Sequence, residues 1–97
     1  MHKQEILDRV LRFCDVRGDT FHWRQEPARS QLFQIFQDSL AETSVTADEI
    51  HEHIRQHMEP MARWHVPMQE RVADVCTAWE DWDYAVQNAI GLFAGAE

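Results

Sequence analysis

Four of the six histidines fall between residues 51 and 65, and the three methionines after Met1 fall between 58 and 68. The densest stretch reads His51-Glu52-His53-Ile54-Arg55-Gln56-His57-Met58-Glu59-Pro60-Met61. On a helix, His53 and His57 are one turn apart and their imidazoles can converge on one ion. Glu49 lies a turn earlier on the same row. Imidazole nitrogen suits zinc, copper or nickel, and thioether sulfur would add a preference for Cu(I). This is not the zinc-protease motif, because Ile54 stands where that motif places its glutamate. A tight site also needs a third ligand from elsewhere: His22, His65, a cysteine or a second chain.

The same residues have a plainer reading. On a helical wheel Ile50, Ile54, Met58 and Met61 define an apolar face, with His57 inside it and His51 and His53 on its two borders. The histidines are then core or boundary residues, and the methionines are filler. Protonating all six imidazoles would move the net charge from −8 to −2, so association could respond to pH between about 5 and 7.

A second cluster is Trp79-Glu80-Asp81-Trp82-Asp83-Tyr84. Aromatic anchors beside Glu80, Asp81 and Asp83 suit the docking of a basic protein surface. Periodicity accounts equally well for both tryptophans as core residues, with the carboxylates on the solvated back. The charge of the whole chain bears on this cluster. Residues 1–30 hold six basic and five acidic side chains, whereas residues 31–97 hold three and twelve. An acidic surface of that kind excludes a general nucleic-acid binder, which needs a basic face, and fits a basic partner.

No glycine-rich phosphate loop, CxxC pair or framed nucleophile is present. Cys14 and Cys76 fall on apolar helical stripes and read as buried thiols. No segment reaches the ~20 apolar residues of a membrane span, and the first residues lack a signal-type apolar run. A cytoplasmic protein is expected.

The elements that position these residues are helices. Three glycines and three prolines in 97 residues leave little material for turns. Helix one is expected over residues 3–17, burying Ile6, Leu7, Val10, Leu11, Phe13 and Cys14 and ending at Gly18. A loop over residues 18–26 should lay Phe21 and Trp23 against the bundle. Pro27 then opens helix two, which runs to Glu42 and buries Leu32, Phe33, Ile35, Phe36 and Leu40. Thr46 and Glu49 form a capping box for helix three, with Val45 and Ile50 as its hydrophobic staple. Pro60 breaks that helix, and residues 61–66 form a short turn.

Helix four should start at Pro67. Met68, Val72, Val75, Trp79, Trp82, Val86, Ala89 and Phe93 alternate four- and three-residue spacings, with Gly91 as a candidate early stop. Such a helix spans ~39 Å. A domain of this size is only about 32 Å across, so the helix would overhang it.

The sequence therefore predicts one all-α domain over residues 1–97, a small bundle of about four helices with a long C-terminal helix. Its expected role is an acidic protein–protein interaction module without cofactor: an adaptor, inhibitor or neutralising partner, forming a homo-oligomer and binding neither nucleic acid nor membrane. The alternative is a zinc, copper or nickel protein built on Glu49, His53 and His57. A small enzyme whose site emerges only in three dimensions is the third.

Overall fold

The computed structural model describes residues 2–16, 24–42 and 44–95, with side chains over 2–15, 24–40 and 44–88. Four α-helices follow one another: α1 (Lys3–Val16), α2 (Ala28–Glu42), α3 (Ala47–Met58) and α4 (Val66–Gly95), with a 3-10 turn over Glu59–Met61. The fold is the expected all-α bundle. The expected placement of Phe21 and Trp23 lies outside the described residues.

The bounds of α3 and the start of α4 have local reasons. The Thr46 hydroxyl accepts the Glu49 amide at 3.2 Å and satisfies one of the donors left over at the start of α3. The Glu49 carboxylate reaches back to Thr46, completing the capping box. At the far end, Pro60 cannot continue the ladder, so the chain tightens into the 3-10 turn. Ala62 then takes a left-handed conformation at φ 57° and reverses the chain. In the expected turn, α4 starts one residue early. The imidazole Nδ1 of His65 accepts the Met68 amide at 3.2 Å, and Pro67 sits in the first turn, where its missing N–H costs nothing.

α1 buries Ile6, Leu7, Val10, Leu11, Phe13 and Cys14, as its periodicity predicts. α2 buries a narrower face than expected: Ala28, Leu32, Ile35, Phe36 and Ser39 are inside, while Phe33 and Leu40 are 39% and 49% exposed. The difference arises because α2 meets α1 along one stripe, and Phe33 and Leu40 lie beside that stripe. The Ser39 hydroxyl donates to the Phe36 carbonyl at 2.7 Å and so enters the core with its polar group satisfied.

α3 packs against both α1 and α4, contributing Ile50, Ile54 and Met58 to the one core cluster. Here two expectations fail. Met61 is 56% exposed, and His57 is exposed rather than part of the apolar face. The 3-10 turn interrupts the α-helical period before Met61, and the buried stripe of α3 runs through Ala47, Ile50, Ile54 and Met58 and leaves His57 beside it. The Phe36 ring meets Trp79 edge-on at 4.7 Å, and Trp79 Nε1–H donates to the Val45 carbonyl.

α4 does not stop at Gly91 but continues to Gly95. One glycine inside a helix costs about 1 kcal/mol relative to alanine, too little to end it. Thirty residues make a rod of ~45 Å. The molecule measures 52 × 26 × 20 Å, with a radius of gyration of 14.3 Å, so its long axis exceeds the ~32 Å of a compact domain of this length.

Candidate functional site

The three residues read from the sequence as metal ligands are brought onto α3 but turned to different partners. Lys3 Nζ approaches the Glu49 carboxylate at 3.0 Å and holds its pKa below the usual carboxylate range, with Thr46 adding a further hydrogen bond. His53 Nε2 meets the Asp8 carboxylate of α1 at 2.8 Å. His57 is exposed. Among the described residues, no three His, Cys, Asp or Glu side chains are grouped to hold an ion. His51 packs its ring edge-on against half-buried Trp64, 5.5 Å between centroids, and His65 caps α4. His51, His53 and His65 thus each have a contact that locates them in the fold.

A concavity of about 590 Å³ lies between α1 and α2 and is lined by Arg9, Arg12, Phe13, Ser30, Gln31 and Gln34 among others. Its ionisable groups are two arginines, which do not exchange protons near neutral pH. Arg9 is ion-paired with Asp38 at 2.6 Å, which holds the Asp38 carboxyl below its ordinary value.

Both cysteines are buried and free. Desolvation pushes each thiol up to about 12, so neither resembles an activated nucleophile. Cys76 Sγ–H faces the Ala47 carbonyl at 3.5 Å. Close to Cys14 lies a residue that sequence reasoning missed. Arg71 is only 8% exposed, and its Nη1–H donates to the Cys14 carbonyl at 2.7 Å. A guanidinium there answers the last-turn carbonyls of α1 and the negative end of its dipole. The signal was available, since Arg71 stands between Met68, Val72 and Val75 at helical spacing.

Five carboxylates of α4 stand apart from most others among the described residues, where besides them Glu5 and Asp48 alone form no ion pair. Among the described residues, the ion pairs run between Lys3 and Glu49, Arg9 and Asp38, Arg29 and Glu26, His53 and Asp8, Arg55 and both Glu52 and Glu59, and Arg63 and Asp15. Hydrogen bonds from Arg55 draw the Glu52 pKa down to about 2. None of these pairs uses α4. Glu70, Asp74, Glu80, Asp81 and Asp83 are all exposed and form no ion pair with a described residue. Arg71, the one basic residue in α4, is buried.

The aromatic half of the cluster divides. Trp79 is 3% exposed and belongs to the core, whereas Trp82 is half-buried against Phe36 at 5.3 Å. Trp82 and Asp81 line a groove of about 270 Å³ between α2 and α4, together with Arg24, Phe33, Asp74, Thr77 and Ala78. Glu80 and Asp83 line a second groove of similar volume with Ser44, Thr46 and Asp48. The face thus offers an aromatic wall with carboxylates on both sides.

By fold, the chain is a small helical bundle with a projecting fourth helix, and among the described residues no helix is long and apolar enough to cross a membrane. Comparison with known protein families, curated proteins and solved structures returns no match.

Proposed function

We propose that this domain is a protein–protein interaction module that receives a basic partner on the acidic face of α4. One observation carries the reading. The arginine, lysine and histidine partners in the described ion pairs serve carboxylates on the other elements, while the five on α4 are left to solvent. Like charges gathered on one helix raise the local negative potential, and a basic partner relieves it on docking. Half-buried Trp82 beside them supplies the kind of aromatic anchor around which binding energy concentrates.

The test is charge reversal at Glu80, Asp81 and Asp83. All three side chains are exposed, so the triple lysine variant should keep its fold, with stability within roughly 0.5 kcal/mol per site. Binding of a basic partner recovered with the unaltered domain should fall at least tenfold. The affinity of the unaltered domain should also weaken as salt is raised. A partner that binds the reversed variant with undiminished affinity would sink the reading.

A further inference from the structure

The chain holds 17 acidic side chains against 9 basic ones, and three of its grooves repeat that excess. The groove beside Trp82 carries Asp74 and Asp81, and the one beside Trp79 carries Asp48, Glu80 and Asp83. A third, beside Leu7, carries Asp48, Glu49 and Glu52. The concavity of about 590 Å³ between α1 and α2 is the reverse: Arg9 and Arg12 line it, and no carboxylate does. Its volume lies within the range of small-molecule sites.

Most of its polar groups are already engaged. Asp38, outside the lining, accepts Arg9 Nη1–H at 2.6 Å and Gln34 Nε2–H at 2.9 Å. Glu26, also outside it, accepts the Ser30 hydroxyl at 2.5 Å. Two donors are left over. Among the described residues, neither the Arg12 guanidinium of α1 nor the Gln31 side-chain amide of α2 has a hydrogen-bond or ion-pair partner. Phe13 and Ile35, both buried core residues, give the same concavity an apolar floor.

We propose that this concavity binds a small organic acid, its carboxylate taken by Arg12 and Gln31 and its apolar body laid on Phe13 and Ile35. The guanidinium is a planar fork that matches the two oxygens of a carboxylate, and the Gln31 amide adds a neutral donor from the opposite helix. Charge sets the class of ligand. With Arg9 neutralised by Asp38, one uncompensated cation remains, and it answers one negative charge. A phosphate dianion brings a second charge, which Arg9 can meet only by leaving Asp38, and it has no use for the apolar floor. A nucleic acid needs a row of cations where this surface offers one. No lining residue of the concavity belongs to the acidic face of α4, so the two readings stand or fall separately.

The test follows backbone amide signals of the isotope-labelled intact domain by nuclear magnetic resonance, with phenylacetate, its neutral amide phenylacetamide, and inorganic phosphate as probes. Phenylacetate should shift the signals of Phe13, Gln31 and Ile35 with a Kd of about 1 mM, the range open to so small a ligand. Phenylacetamide should bind roughly threefold to fivefold more weakly, the share of one exposed ion pair. Arg12 is exposed and unpaired, so Arg12→Gln should keep the fold. That variant should lose the same factor for phenylacetate and nothing for phenylacetamide. Phosphate at about 20 mM should leave the three signals in place. The absence of any shift up to about 20 mM phenylacetate overturns the inference. So does an amide that binds as tightly as the acid, undiminished binding by Arg12→Gln, or phosphate that moves the same signals.

Discussion

The two halves of α4 share one sequence pattern and meet opposite surroundings. In the first half, Met68, Val72, Val75 and Trp79 lie under α1, α2 and α3, and Arg71 answers a carbonyl of α1. In the second, the same alternation of four and three residues continues in the sequence, while Trp82 and Val86 are half-buried and Tyr84 is exposed. Carboxylates differ between elements as well: most of those on the other elements are ion-paired, and the five on α4 are left to solvent. Periodicity therefore states which side of a helix is apolar, and the lengths of the other helices decide how much of that side the molecule covers by itself.

Truncation to alanine gives the largest contrast between the halves. Trp79→Ala should cost about 3–5 kcal/mol in urea unfolding, a large share of a small domain's stability. Val86→Ala, measured at low concentration, should cost under about 1 kcal/mol. Equal costs at the two positions would erase the distinction.

Alkali should act on the buried core, through Cys14 of α1 and Cys76 of the first half of α4. Free thiols ionise near 9.0, whereas Cys14 and Cys76 are held to about 12. Between those values the folded state keeps protons that the unfolded state has lost, so stability falls as pH rises from about 9 toward 12. At pH 8 the folded thiolate population should be about a thousandfold lower than in the unfolded chain, and disulfide-exchange reagents should label the cysteines only after denaturant is added. Rapid labelling of the native protein would contradict the burial.

Arg71→Met keeps most of the apolar stem and removes the donor. It should cost about 1–3 kcal/mol by leaving the Cys14 carbonyl short of a partner. A neutral result would show that the carbonyl is satisfied without it. Thr46→Ala should cost about 1 kcal/mol through loss of the cap of α3, and Thr46→Asn should recover most of it.

Much of the fold was legible because it depends on neighbours in sequence. The capping box at Thr46 and Glu49, the break at Pro60 and the seam from Met68 to Val86 all follow from short spacings. What escaped depends on neighbours in space. Phe33 and Leu40 look as apolar as Leu32 and Phe36, and only the line of contact with α1 separates them. His57 falls on the apolar side of an ideal wheel, yet α3 ends one residue later and leaves it outside. For the candidate site, the sequence located the carboxylates Glu80, Asp81 and Asp83 but could not show that α4's single cation, Arg71, is spent on the Cys14 carbonyl. It also grouped Glu49, His53 and His57 without the residues of α1, Lys3 and Asp8, that engage two of them.

The bond from Arg71 to the Cys14 carbonyl joins residues 57 apart in sequence. In kinetic terms that span sets an order of events. α3 and α4 are linked by a short turn and can meet early, whereas α1 reaches Arg71 only when a long loop closes, at an entropic cost that grows with its length. The guanidinium therefore acts as a late latch on a hairpin already formed. Its removal should quicken unfolding far more than it slows folding.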